Sequence, residues 1–259
     1  MFLRNILLSQ GSTVVTPPPP STLRNTLGLN GSSEYATIAA DASITMGDGS
    51  RSFSCWADLN AVSSTLFQFG NISNGHGFVD FAYDAVNKLQ ARAFAESGTF
   101  SNQRRYTTDN TISTGVHHLA VVFNTWGVYD IYVDGVAQAV TANNTGSPGT
   151  HTGTYTMNLG AYPDASVYLT GSLSAPMLFD KNLSAAEVTA IYNSGVGIQP
   201  ADFSGHGNAT VAALYSNMMF GIPFNDGEAN EEQDGSSNTN NSTLQGSPVY
   251  DGTQQLFED

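Results

Sequence analysis

The chain has 259 residues, room for one large domain or a domain with extensions, and at that size about 70–75% of the unfolded surface is buried on folding. With 8 Lys and Arg against 22 Asp and Glu, the net charge is −14, and no basic cluster exceeds Arg104-Arg105, which excludes binding nucleic acid through its phosphates. The single Cys55 leaves no intrachain disulfide, and no stretch approaches the ~20 apolar residues of a membrane span, so no membrane partner is expected. Part of the acidity gathers near the C-terminus, where it describes solubility and a tail more than a steering field.

Residues 1–26 carry no strand pattern. Phe2, Leu3, Ile6, Leu7 and Leu8 form a short apolar patch, and after a polar stretch Pro17, Pro18, Pro19 and Pro20 form a stiff polyproline spacer. Two readings stand: a disordered tail, or an anchor peptide docked on a partner with the prolines holding the main domain away. The run Ile6 to Leu8 is too short for a signal-peptide core, so export by a classical signal is not expected.

From Leu27 onward the pattern is one of short strands. Leu27 to Ile44 predicts one strand with turn residues on both sides, and Ser52 to Leu59 a second, with Phe53, Cys55 and Ala57 alternating against Ser52, Ser54 and Trp56. Thr65 to Phe69 is a third. Gly77 to Tyr83 and Lys88 to Phe94 form a hairpin across Asp84 to Asn87, and Arg105 to Thr108 is a short strand. Thr114 to Val140 is a meander of three strands, with His117, Leu119, Val121 and Phe123 on one face and Tyr129, Ile131 and Val133 on another. Its first turn is Asn124 to Gly127 and its second Asp134-Gly135, whose two central residues need φ > 0. Tyr155 to Leu159, Val167 to Thr170 and Gly171 to Phe179 complete the set. Such spacing, with Gly, Ser, Asn and Asp turns, argues for a β-sandwich rather than α/β.

One helix is predicted over Ser184 to Ser194. Ser184 and Glu187 make a capping box, Leu183 and Val188 a hydrophobic staple, and Gly195 a left-handed end. Ala209 to Phe224 is apolar enough to pack. Asn225 to Ser247 reads as a long loop of low apolar content, and Val249-Tyr250 as one last strand.

From Leu27 to Gly195 the order of landmarks resembles laminin G-like jelly rolls of the concanavalin A superfamily. LNGSSEYATI resembles the opening strand, SFSCWADL the first long core strand, and LFQFGN the next. GFVDFAYDAVNKLQARAF resembles the following hairpin, TGVHHLAVVFNTWGVYDIYVDGV the central pair, and MNLGAY and YLTGSLSAPMLFDKNLSAAEVTAIYNSG the closing strand with its helix. The resemblance implies an all-β fold, a two-sheet antiparallel β-sandwich with one short capping helix and extended N- and C-terminal arms. It divides the chain into residues 1–26 (anchor peptide and linker), 27–195 (sandwich) and 196–259 (C-terminal extension). GIPFNDGEANEEQDGSSNTNNSTLQGSPVY resembles the segment that usually precedes the opening strand, here placed after the domain. With the GVG and SGHGN stretch behind the helix, this tail is similar to those of tailed-bacteriophage structural proteins. The order implies a strand returned to the same sandwich or given to a neighbouring subunit.

Glycan-cleaving enzymes on this fold need two converging carboxylates, in the glucanase relatives as E-x-D-x-E on one strand, and no such run occurs. Asp80 and Asp84 lack that spacing, and Asp84 reads as a turn residue. His117 and His118, adjacent on a strand, point to opposite faces and cannot chelate one ion together, so both read as structural; His76, His151 and His206 read as isolated loop residues. Asp226, Glu228, Glu231, Glu232 and Asp234 have oxygens enough for calcium, as some relatives bind, without the spacing of a calcium loop, and no other cofactor is expected. A lectin-like site needs exposed aromatics beside polar groups, and Trp126, Tyr162 and Asp164 are the candidates. The leading expectation is a non-enzymatic phage virion protein, a decoration or tail-fibre component. Its partners would be other virion proteins of a capsid or tail, and its own copies in an oligomer. The alternative is a carbohydrate-binding module for host or mucus glycans.

Overall fold

The computed structural model describes residues 26–47, 50–60, 64–70, 78–94, 103–124, 128–146, 151, 153–162, 167–224 and 231–250. In chain order the strands are β1 (Leu27–Asn30), β2 (Tyr35–Ile38), β3 (Arg51–Leu59), β4 (Ser64–Gly70), β5 (Phe78–Tyr83), β6 (Leu89–Phe94), β7 (Gln103–Thr108), β8 (Gly115–Asn124) and β9 (Val128–Val133). They continue as β10 (Val136–Ala137), β11 (Val140–Ala142), β12 (Met157–Leu159) and β13 (Thr170–Phe179). After helices α1 (Ala185–Tyr192) and α2 (Ala209–Leu214) come β14 (Met218–Gly221), β15 (Glu231–Glu232), β16 (Ser242–Gln245) and β17 (Val249–Tyr250).

All pairings are antiparallel. Among the described residues the first sheet runs β10-β9-β8-β3-β13-β1-β17, with β14 also on β13, and the second runs β11-β7-β6-β5-β4-β12-β2-β16-β15. The architecture is the expected two-sheet sandwich. Its interior is filled from both inner faces by alternate residues, among them Phe53 and Phe67, whose rings stack at 4.6 Å, with Phe81, Leu119, Val121, Phe123 and Ile131.

The first sheet is buried on its outer face too. Ala120, Val122, Met177 and Phe179 pack under Val188 and Ile191 of α1, Phe203 of a 3-10 turn, and Val211 and Leu214 of α2. This explains why β8 and β13 are buried along most of their length instead of showing one wet face. In α1, Ser184 and Glu187 form the expected capping box.

Several expectations change. Leu27 to Ile44 contains two strands, not one: Asn30 Oδ1 accepts the N–H groups of Ser32 and Ser33, and this turn carries the chain from the first sheet to the second. The third strand of the meander splits into β10 and β11, which belong to different sheets. Val167 to Thr170 contributes a single bridge, Ala161 to Tyr168, before β13 begins. Helix α1 ends in left-handed residues from Asn193 (φ 49) and Ser194 (φ 56), two positions before Gly195.

The stretch read as a loop of low apolar content is largely built. Asp234 accepts from the N–H groups of Gly221, Ser236 and Asn240, all at 2.8 Å, and from Ser236 Oγ at 2.6 Å. Asn238 and Asn240 donate to the carbonyls of Met218 and Met219. Polar side chains here satisfy backbone groups that a sheet would otherwise have to pair. The chain then returns to its own sandwich: β16 pairs with β2 and β17 with β1. The anchor residues Phe2, Leu3, Ile6, Leu7, Leu8 and Pro17 to Pro20 lie outside the described residues, as do His76, Trp126, Asp164, Asp226 and Glu228.

Candidate functional site

The outer face of the second sheet carries polar residues brought into line by strand register. Asn158 of β12 pairs with Gln68 of β4, Gln68 with Asp80 of β5, Asp80 with Arg92 of β6, and Arg92 with Arg105 of β7. Their chain neighbours Phe67, Phe81, Ala91 and Tyr106 point inward and fill the core, so the period of two sets this row.

Asp80 is wholly buried. Arg92 grips it with both edges of its fork: Nε donates to Oδ1 at 2.8 Å, and Nη2 donates to Oδ2. Burial works against the Arg92 charge, but Asp80 beside it outweighs this and holds the guanidinium protonated. Burial likewise raises the Asp80 carboxyl, opposed by Arg92 and then by Arg105. The pair is therefore an internal fixture, and it aims the rest of the guanidinium at Tyr162, with Arg92 Cζ 5.7 Å from the ring centroid.

Tyr162 follows β12, and its N–H donates to Val167 O at 2.9 Å, so the loop it opens is closed by backbone. The ring and Arg92 border a cleft of about 330 Å³ that also meets Ser64, Ala82, Asp84 and Gln90. Asp84 is the turn residue expected: Oδ1 accepts from the N–H groups of Val86 and Lys88, both at 2.9 Å. Its Oδ2 accepts from Gln90 Nε2 at 2.5 Å, which fixes the amide at the cleft. One aromatic face, one guanidinium edge and one oriented amide thus share a hollow. Of the three glycan candidates, Tyr162 is at this cleft; Trp126 and Asp164 lie outside the described residues.

The other residues singled out in the sequence hold structure. His117 and His118 do point to opposite faces. His117 Nδ1 lies 2.8 Å from Asp134 Oδ2 and its Nε2 lies 2.9 Å from Ser113 Oγ. His118 is buried with Nε2 2.9 Å from Ser54 Oγ, in a group with Trp56 and Tyr192. Burial lowers the His118 pKa to about 4, with Asp134 opposing. Cys55 is fully buried, and burial pushes its thiol up, away from reactivity. His151 is not a free loop residue: it is buried, bridged to Gly47, with Nε2 2.7 Å from Phe94 O. His206 Nδ1 accepts the Asn208 N–H.

For calcium, Asp234 does not fit, since four donors already occupy both of its oxygens. Among the described residues no three His, Cys, Asp or Glu side chains gather as a metal set.

A two-sheet jelly roll with helices capping one face and a polar cleft on the other defines a lectin-like sandwich. The chain belongs to the concanavalin A-like lectin/glucanases superfamily, whose laminin G family profile matches residues 30–189. No curated protein sequence matches it. Among solved structures, a Bacteroides ovatus protein described as a candidate carbohydrate binder aligns at 12% identity and TM-score 0.53, over 87% of this chain and 61% of that one. The CBM40 domain of the Ruminococcus gnavus IT-sialidase aligns at 13% identity and TM-score 0.49, over 66% and 99%. Domains LG4-5 of the mouse laminin α1 chain align at 10% and 0.47, over 69% and 48%. At these identities the likeness is one of fold.

Proposed function

We propose that this chain is a non-enzymatic binding domain that takes a glycan in the cleft beside Tyr162. The observation that carries the reading is the Tyr162 ring held over Arg92 at the wall of a cleft whose amide, Gln90, is already oriented. A sugar presents a face of C–H groups and a rim of hydroxyls; an aromatic ring takes the first and fixed polar groups the second. Because Asp80 and Asp84 hold Arg92 and Gln90, little side-chain ordering remains to oppose binding. Superfamily membership and the Bacteroides ovatus relative's description support the same class. The sequence lacks the E-x-D-x-E run of the glucanase relatives, and Asp80 is spent on Arg92, which favours binding over hydrolysis. A glycan array followed by calorimetry on the strongest ligand is the test. Binding should be lost in Tyr162→Ala and kept in Tyr162→Phe; an array with no binding, or an Ala variant that binds like the parent, overturns the reading.

We further propose, for where the domain is displayed, that it belongs to a phage virion and is attached through residues 1–20. The apolar patch Phe2 to Leu8, the spacer Pro17–Pro20 and the phage-like C-terminal tail support this. Deleting residues 1–20 should abolish attachment to the particle while the sandwich stays folded. Attachment by the deleted chain would sink the idea.

A further inference from the structure

A second hollow lies on the other sheet, where the helices do not reach. Leu27, Leu29, Ala57, Leu59 and Leu173 point into the core, so Gly28, Asp58 and Ser172 face outward. Register places these three side by side: Ser172 of β13 pairs with Gly28 of β1 on one side and with Asp58 of β3 on the other, and Gly28 pairs in turn with Val249 of β17. Gly28 has no side chain, so the row dips there. The result is a groove of about 480 Å³ walled by Glu34 and Asn60.

Its chemistry is one-sided. Ser172 is 3% exposed and lines the groove, and among the described residues its Oγ has no hydrogen-bond partner. A buried hydroxyl left unpaired is costly, so it marks a place where a partner is missing. Asp58 accepts from Asn60 Nδ2 through Oδ2 at 2.9 Å, and Glu34 accepts the Asn30 N–H through Oε2 at 2.9 Å. Among the described residues, no donor reaches the second oxygen of either carboxylate. Among the described residues, no Lys, Arg or His lines the groove. A ligand here must bring hydrogen-bond donors and no negative charge, and the volume is that of a small-molecule pocket rather than of an ion's coordination shell.

We propose that this groove is a second ligand site, for an uncharged saccharide whose hydroxyls donate to Asp58 and Glu34 and meet the Ser172 hydroxyl. It is independent of the Tyr162 cleft, which lies on the opposite sheet. The experiment is backbone amide NMR of the full chain titrated separately with maltose, cellobiose, lactose, diacetylchitobiose and calcium chloride. At least one disaccharide should shift the amides of Gly28 and Ser172. Asp58→Asn and Ser172→Ala should each weaken that binding at least about tenfold, as expected for losing one charged or buried hydrogen bond. Tyr162→Ala should leave it unchanged. Ser172→Ala should not lower the melting temperature, because it removes an unpaired group, so lost binding with retained stability separates a ligand contact from a folding defect. The proposal is overturned if no disaccharide moves these amides, if only calcium does, or if Tyr162→Ala removes the shifts. Binding that depends on Tyr162 alone would leave the first site standing and this one refuted.

Discussion

Asp134 and His117 close the central hairpin onto the strand before it: Asp134 Oδ2 lies 2.8 Å from His117 Nδ1, while its Oδ1 accepts the His118 N–H at 2.9 Å. Asp134 itself sits at φ 50 and Gly135 at φ 75, the pair of positive angles that the two-residue turn requires. One residue thus makes the turn and ties it back to β8. With Ser113 on the far nitrogen, the three side chains line up as Ser, His and Asp: Ser113 ties the entry of β8 to His117, and Asp134 ties the turn back to the same strand.

Burial raises the Asp134 carboxyl, but the bonds from the His117 ring and the His118 N–H outweigh it and hold the pKa below the usual carboxylate value. A folded-state pKa below the unfolded one gives stability that is present above the unfolded value and lost as pH falls through the folded one. Asp134→Ala should therefore cost about 1 kcal/mol at neutral pH in urea unfolding, because solvent screens a carboxylate that is 37% exposed. The difference from the parent should shrink at acid pH. An equal gap at neutral and strongly acid pH would show that the turn, and not the charge, carries the effect.

The two buried histidines predict a second pH dependence at higher pH. Burial lowers both His118 and His151 to about 4 from an ordinary 6.5. The unfolded chain then binds more protons than the folded one between those values, so stability should fall as pH drops from about 6.5 to about 4. His118→Gln and His151→Gln should each flatten that slope in thermal melts while lowering stability at pH 7. A slope unchanged in both would mean that other groups drive it.

Much of the sandwich was legible because its signals are local. Alternation in Phe53, Cys55 and Ala57, the Asp134-Gly135 turn and the Ser184–Glu187 box each need only a few adjacent residues. The cleft was only half legible. Tyr162 could be singled out as an aromatic in a loop, but its partner Arg92 is 70 positions away, and only the register of β5 against β6 shows that Asp80 and Arg92 meet. In the sequence the Asp234 network reads as a long loop of low apolar content, because Asn, Ser and Gly look alike whether they face water or bond backbone. What distinguishes the two is the presence of the Met218 and Met219 carbonyls, which no sequence window over residues 225–247 contains.

The Arg92–Asp80 pair makes a prediction about stability that is separate from ligand binding. Taking one partner from a buried ion pair strands the other charge, typically at 3–5 kcal/mol, whereas replacing both by neutral groups of similar shape costs far less. Arg92→Gln should therefore be strongly destabilising in denaturant unfolding, and Asp80→Asn with Arg92→Gln should recover part of the loss. Single variants as stable as the parent would mean that water reaches Asp80. Arg92 variants are accordingly unsuitable as tests of glycan contact, which is why Tyr162 carries that role.

The returning C-terminal arm supplies the last prediction. β16 covers the open edge of β2 along Tyr35 to Ile38, and β17 covers β1 at Leu27 and Gly28. Removing residues 231–259 would leave both sheets with an unpaired strand, a ready template for another chain. It would also strip the Asp234, Asn238 and Asn240 bonds from Gly221, Met218 and Met219, leaving buried backbone groups of β14 without partners. The truncated chain should be less stable and should associate, with light scattering reporting a mass above that of the intact protein at the same concentration. Adding the separate peptide 231–259 should reverse the association if the exposed edges cause it. A truncated chain of unchanged mass and melting temperature would mean that β1 and β2 hold their places without the arm, and that its pairing is dispensable to the fold.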